Sequence, residues 1–151
     1  MKKWMIAAAA AGVLMMQPFQ PQDAGRLYVV ETLALEERSG EILVASGDVW
    51  GRGSTVTAAL ENMEERTPGL LFLRQVKRVI LCGDTDAAVL SRLPEEIPMG
   101  AVIYTSQAQA QELAPQAELQ EILEAREVRD PELPKLAEIL DQSRKRDLEG
   151  R

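Results

Sequence analysis

One stretch decides how the chain folds, QVKRVILCGD at positions 75–84. Four consecutive apolar residues, Val79 to Cys82, follow two basic residues and are ended by a Gly-Asp pair. A short apolar run with such boundaries is typical of a strand that is buried on both faces, with helices above and below the sheet. We therefore predict a layered fold built around this central strand.

Length and composition predict one small domain with an aliphatic core. The chain has 151 residues, of which 46% are apolar but only 4% aromatic. Its formal charge of −7 argues against nucleic acid as a partner, because phosphate binding needs clustered Lys and Arg. The one basic cluster, Arg144-Lys145-Arg146, is flanked by Asp141, Asp147 and Glu149.

The residue types that carry most catalysis are scarce. The chain has no histidine and a single cysteine, Cys82, which we interpret as a small core residue of the buried strand. Asp84 and Asp86 suggest a cation site, but capping of the helix that follows explains two carboxylates better. An enzyme would depend on carboxylates alone, such as Asp84 with Asp48 or Glu31. We predict no catalytic, cofactor-binding or metal-ligating residues.

The N-terminus has the pattern of an export signal. Lys2 and Lys3 precede an uncharged, apolar run at positions 4–16, which is short for a membrane span. Residues 17–22 contain two prolines and predict an extended tether. We predict that residues 1–25 are a signal peptide or an N-terminal membrane anchor plus tether, and cleavage remains open. No cysteine lies directly after the run, so lipid attachment of the bacterial lipoprotein type is excluded.

The first half of the domain predicts a hairpin and a helix. Strands are expected at 26–36 and 41–50, joined by a turn at 37–40, with Gly47-Asp48 as a bulge or kink. Gly51-Arg52-Gly53-Ser54 then opens a helix capped by Ser54. An anion-binding loop is the alternative for these glycines, although the third glycine of a dinucleotide fingerprint is missing. The buried face of the helix is predicted to comprise Val56, Ala59, Leu60 and Met63.

The second half alternates helices with a further strand. We expect a helix at 86–93 capped by Asp84 or Thr85, and a strand at 101–105 parallel to the central one. Ser106 is predicted to cap a helix at 107–113.

Two more helices are predicted after Pro115. The first covers 116–126, with an apolar face of Leu119, Ile122 and Leu123. The last carries an apolar stripe of Leu133, Leu136, Ala137 and Leu140, which either packs on the sheet or docks a partner helix. The charged end, 143–151, is expected to fray.

These segments together predict an α/β (α+β) fold, with a small mixed sheet of about four strands and helices packed on it. The predicted division is 1–25 for the N-terminal signal or anchor, 26–126 for the domain, and 127–151 for a C-terminal helix and charged tail.

The order of these elements resembles the N-terminal domain of the Ger(x)C family, the C subunit of spore germinant receptors. In that family a glycine-serine helix start precedes a segment of the type leu-phe-x-x-x-x-lys-x-ile-ile-ile-gly. The similarity covers roughly residues 26–125. The matching positions are Leu71, Phe72, Lys77, Val79, Ile80, Leu81 and Gly83.

The resemblance implies a non-enzymatic, exported protein with no cofactor. Family members are lipoproteins on the outer face of the inner spore membrane, and their partners are membrane-embedded receptor subunits. This chain lacks the lipidated cysteine and covers the first of several family domains, so we expect a stand-alone relative. The alternative is an exported α/β binding or scaffold module of an envelope complex unrelated to germination.

Overall fold

The computed structural model describes residues 27–150. The predicted signal or anchor at 1–25 lies outside this range. Within the described residues, no helix combines the length and apolar character needed to cross a membrane.

Seven strands and four α-helices make up the described chain, with one 3₁₀-helix at Ala87–Arg92. The strands are β1 Leu27–Val29, β2 Thr32–Arg38, β3 Glu41–Ser46, β4 Val49–Gly53, β5 Leu70–Phe72, β6 Arg78–Cys82 and β7 Val102–Ser106. The α-helices are α1 Val56–Glu65, α2 Ala110–Leu113, α3 Leu119–Arg129 and α4 Leu136–Glu149.

The main sheet has five strands in the order β4-β3-β2-β6-β7. β6 is parallel to both of its neighbours, whereas β2, β3 and β4 form an antiparallel meander. All five residues of β6 are buried, as predicted for the central strand. The mixed sheet and the α/β (α+β) class are confirmed, with five strands in place of about four. A separate two-stranded parallel ribbon, β1 with β5, was not predicted.

Helices cover both faces of the sheet. Because successive side chains of a strand point to opposite faces, the residues of β6 alternate between two apolar clusters. Val79 and Leu81 pack with the buried side of α1, with the 3₁₀-helix and with Leu136 of α4. Ile80 and Cys82 pack on the opposite side, against Ala110 of α2 and the buried leucines of α3. The predicted arrangement of helices above and below the central strand is confirmed.

The strand predicted at 26–36 is wrong as a single element. The chain leaves β1 at Val30, whose amide donates to the Phe72 carbonyl, and the Glu31 carbonyl then accepts from the Lys77 and Arg78 amides. β1 therefore pairs with β5 while β2 pairs with β6, and the break falls where the chain passes from one sheet to the other.

The strand predicted at 41–50 is also two strands. Gly47-Asp48 forms the tight turn between β3 and β4, and is neither a bulge nor a kink within one strand. Gly47 has φ of +56°, a conformation that glycine adopts without a Cβ clash. The predicted turn before β3 is present, and it uses positive φ at both Ser39 and Gly40.

The glycines predicted to open a helix belong to strand β4 instead. A Cβ on Gly51 would lie 2.3 Å from the Ala59 carbonyl oxygen, because α1 packs directly on this strand. The helix is capped by Thr55, whose hydroxyl accepts from the Ala58 amide, and not by Ser54. The four predicted buried positions of α1 are confirmed.

Two further helix starts are displaced from prediction. Residues 87–92 form a 3₁₀-helix whose cap is Asp86, the acceptor for the Ala88 amide, and neither Asp84 nor Thr85. Helix α2 begins at Ala110 instead of 107, because Ser106 still belongs to β7, where it pairs with Cys82.

The last two helices run further than predicted. Helix α3 begins at Leu119 instead of 116 and continues to Arg129. Ile122 is 56% exposed, so it does not share the buried face of Leu119 and Leu123. Helix α4 extends to Glu149, so the charged segment predicted to fray is helical through that residue. Leu136 is buried in the core, which supports packing on the sheet for the apolar stripe.

Candidate functional site

The first candidate site is a buried ion pair between β6 and α3. Arg78 is the first residue of β6, and its side chain is only 3% exposed. Its Nε lies 2.6 Å from Oε1 of Glu127, and its Nη2 lies 3.0 Å from Oε2. Two parallel N–H···O bonds of this kind fix both position and orientation.

Neighbouring groups complete the network around Glu127. The Tyr104 hydroxyl, on β7, donates to Oε1 of Glu127 at 3.1 Å. The Arg126 guanidinium lies 5.7 Å from the centre of the Tyr104 ring, within cation–π range. Glu124 adds a second, more distant carboxylate 3.9 Å from Nη2 of Arg78.

Arg78, Glu127 and Tyr104 are each held in one protonation state at neutral pH. Hydrogen bonding from Arg78 lowers the pKa of Glu127, although partial burial opposes this. The same hydrogen bond raises the already high pKa of Arg78. Burial, assisted by Glu127, raises the pKa of Tyr104 to about 12. These groups therefore keep fixed charges and fixed hydrogen-bonding roles at neutral pH.

One nitrogen of this network has no partner in the part of the chain that the structure describes. Nη1 of Arg78 is buried and has no hydrogen-bond acceptor among residues 27–150. Unsatisfied buried donors are uncommon in native proteins, and charged ones especially so. This donor therefore calls for an explanation.

An open cleft of about 520 Å³ lies beside the ion pair, at the amino ends of β6 and β7. Arg78 and Glu127 both line it, so the pair forms part of its wall. Arg74 and Lys77 add two exposed cations, and the apolar lining comes from Val76, Pro98, Ala101 and Val102.

A second candidate site is the outer face of the β1–β5 ribbon. Its parallel register places Leu27 beside Leu70 and Val29 beside Phe72. Leu27, Val29 and Leu70 are 49%, 45% and 61% exposed. Tyr28 points inward, and its hydroxyl donates to the Ser46 carbonyl. The ribbon thus presents apolar side chains to the outside, which we call the ribbon face: Leu27, Val29, Leu70 and Phe72.

The carboxylates considered from sequence are not brought together. Glu31 lies at the amino end of β6, where its Oε1 is 3.4 Å from Nζ of Lys77. Asp84 follows the carboxyl end of the same strand, so the length of β6 separates the two. Asp48 lies in the β3–β4 turn, which is at the same end of the sheet as Glu31. Between residues 27 and 150, no group of three or more His, Cys, Asp and Glu has a geometry that could hold a metal.

Cys82 is placed as predicted, inside the sheet. It is fully buried, and burial together with the charge of Glu36 raises the pKa of its thiol to about 12. Its thiolate, the reactive form, is therefore a minor species at neutral pH.

Sequence reasoning missed the Arg78 network. It treated Arg78 as a boundary of the buried strand, although an arginine directly joined to an apolar run can continue that strand. The position of Glu127 near the end of a helix gave no signal, because 49 residues separate it from Arg78. Comparison of the chain with protein-family models, curated proteins and solved structures found no match.

Proposed function

We propose that this chain is a non-enzymatic, exported accessory protein that acts through protein–protein contacts at the outer face of a membrane. Following the Ger(x)C resemblance, we place that role in spore germination, with membrane-embedded germinant receptor subunits as partners. The observation that carries the proposal is the ribbon face, and its location relative to the N-terminal apolar run.

The ribbon face has the character of a contact surface. Three of its side chains are about half exposed, and they lie side by side on two paired strands. Contiguous exposed apolar side chains are a common mark of interaction sites, whereas single ones are not. The opposite side of the ribbon is anchored to the core through Tyr28 and Leu71, so the face is held in place.

The start of the ribbon limits how far this face can lie from the membrane. Ten residues, 17–26, separate the apolar run from Leu27. Fully extended, they span about 35 Å. An N-terminus retained in the bilayer would therefore keep the ribbon face within reach of proteins embedded in the same membrane. If the N-terminus is cleaved, no tether holds the domain near the membrane, and contact with those partners depends on binding affinity alone.

The resemblance residues have structural roles that suit such a module. Leu71 and Phe72 belong to β5, the apolar triplet forms the centre of β6, and Gly83 ends that strand with φ of +60°. These positions shape the sheet and the ribbon without supplying reactive groups.

Site-specific crosslinking in sporulating cells tests the proposal. A photoreactive residue replaces Leu70 in the ribbon face, and a matched control replaces the exposed Glu41, which pairs with Arg38 at the end of β2 that lies away from the ribbon. We expect adducts with receptor A or B subunits from position 70 and not from position 41. Adducts confined to soluble proteins, or equal at both positions, would contradict the proposal. Adducts with secretion or pilus components would favour the alternative of an envelope scaffold.

A further inference from the structure

We propose that the cleft at the amino ends of β6 and β7 is a binding site for a carboxylate that carries a small apolar group. This inference does not depend on the proposed function, because it rests on a different surface of the domain. It is carried by the unpartnered nitrogen of Arg78, the charge of the cleft and the apolar lining.

The first argument is the hydrogen-bonding state of Arg78. Its pair with Glu127 uses Nε and Nη2, which share one edge of the planar guanidinium group. Nη1 is left on the other side, buried, without an acceptor within the described chain. Arg78 lines the cleft, and a carboxylate oxygen that displaces the atoms covering Nη1 would supply that acceptor, with a charge-assisted geometry that guanidinium favours.

The second argument is the sign of the charge. Three cations line the cleft, Arg74, Lys77 and Arg78, against the single carboxylate of Glu127. Lys77 also faces Glu31 at 3.4 Å, and Glu124 lies 3.9 Å from Arg78, but both of these carboxylates lie outside the cleft lining. Lys77 and Arg78 are thus paired, and Arg74, which has no ion pair within residues 27–150, is the lining cation that would attract an anion.

The third argument is the character of the remaining wall. The half-buried Pro98 and Val102 provide an apolar surface next to the cations, and Val76 and Ala101 also line the cleft but are almost fully buried. A volume of about 520 Å³ is in the range of small-molecule sites and exceeds what a bare inorganic anion needs. A branched aliphatic acid matches both halves of the site, with its carboxylate toward Arg78 and its carbon chain on the apolar wall.

Such a carboxylate has two sources, a free organic acid or the C-terminus of a peptide that ends in an aliphatic residue. The probes are therefore 4-methylpentanoate and the tripeptide acetyl-Gly-Gly-Leu, each paired with its uncharged amide. Inorganic phosphate serves as an anion without an apolar group. Binding is followed through the backbone amide resonances of the ¹⁵N-labelled full-length chain.

We expect saturable shifts at Lys77, Ala101 and Val102 with at least one carboxylate, and none with its amide. Exchanging both exposed cations, R74Q with K77Q, should weaken binding about fivefold, the effect of losing roughly 1 kcal/mol of charge attraction. The matched control, R92Q, removes an exposed arginine outside the cleft and should leave affinity unchanged.

The two carboxylates distinguish the sources, since a stronger response to the tripeptide identifies a peptide C-terminus. Equal binding of acid and amide, no saturable shift with any probe, or binding that R74Q with K77Q leaves intact would overturn the proposal. Phosphate binding as tightly as 4-methylpentanoate would also overturn it, because the apolar wall would then play no part. Both exchanged side chains are exposed and neither takes part in the hydrogen bonds between Arg78 and Glu127, so these variants leave those bonds in place.

Discussion

Nε of Arg78 lies 2.6 Å from Oε1 of Glu127, and this contact joins the first residue of β6 to the last turns of α3. The arginine is almost fully buried, whereas the glutamate side chain is 27% exposed. The pair thus attaches α3 to the amino end of β6, where the cleft opens. Removing one partner leaves the charge of the other poorly compensated. The contribution of the pair to the free energy of unfolding can therefore be measured with variants of either residue.

A double-mutant cycle on this pair should show strong coupling. We expect R78M alone to lower the free energy of unfolding by about 3 kcal/mol, the lower end for breaking a buried pair, because Glu127 remains partly hydrated. The double variant R78M/E127Q should lose less than the sum of the two single variants. Urea denaturation of the four proteins measures this. If the losses in unfolding free energy of the two single variants simply add, the contact between Arg78 and Glu127 has no coupling energy.

The same pair predicts a pH dependence. The pKa of Glu127 in the folded chain lies below its ordinary value of 4.5, chiefly through hydrogen bonding from Arg78, with Tyr104 and Lys77 contributing. Its stabilising contribution is therefore complete above about pH 4.5 and is lost as the pH falls through the folded-state pKa.

Unfolding measurements from pH 7 to pH 3 check this expectation. The stability difference between the natural chain and E127Q should be constant at neutral pH and shrink below about pH 4.5. In an R78M background the shrinkage should be much smaller, because the main cause of the lowered pKa is gone. A difference that grows on acidification would show that the sign is wrong.

Gly51 is expected to be intolerant of any side chain. In G51A the new Cβ would lie 2.3 Å from both the Ala59 oxygen and the Met63 nitrogen, which belong to the backbone of α1. We expect a loss of about 3 kcal/mol or more, because helix and strand must separate.

G100A is the matched control, since a Cβ there meets nothing within 4 Å. Its unfolding free energy should change by no more than about 0.5 kcal/mol. Thermal or urea unfolding of both variants gives the comparison. A mild effect of G51A would refute close packing of α1 on β4 and restore a loop role for this glycine.

Cys82 should be nearly unreactive in the folded protein. Its pKa of about 12, against an ordinary value of 9.0, leaves very little thiolate at pH 8, and burial blocks access. We expect its reaction with an aromatic disulfide reagent to be at least about a hundredfold slower than that of a cysteine placed at the exposed position 88.

The variant A88C provides both thiols in one molecule. It should show one fast and one slow phase, and denaturant should merge them. A single fast phase without denaturant would place Cys82 at the surface, contrary to its position in β6.

Local pattern was enough to predict the elements that carry a clear apolar period. The apolar run of β6 identified a central strand, and the spacing of Val56, Ala59, Leu60 and Met63 gave the buried face of α1. Both predictions succeed because a residue that is buried between the sheet and a helix is apolar, whichever sheet or helix covers it. The α/β class follows from the same patterns, since strands and helices alternate along the chain.

Capping and strand breaks were predicted less well. Ser54, Thr55, Asp84 and Asp86 all have side chains that cap helices, so composition alone does not choose among them. Which one caps depends on where the preceding strand or turn releases the chain. In this fold β4 continues to Gly53, which moves the start of α1 to Thr55 as cap.

The sequence by itself determined an aliphatic core, a central parallel strand and the absence of histidine chemistry. Tertiary structure alone decided that β1 leaves the main sheet to pair with β5, which creates the ribbon face, and that Arg78 meets Glu127 across 49 residues. The reason is physical. Burial is imposed residue by residue and leaves a periodic trace in the sequence, whereas the pairing of distant strands and charges depends on how the whole chain closes upon itself, which no local period records.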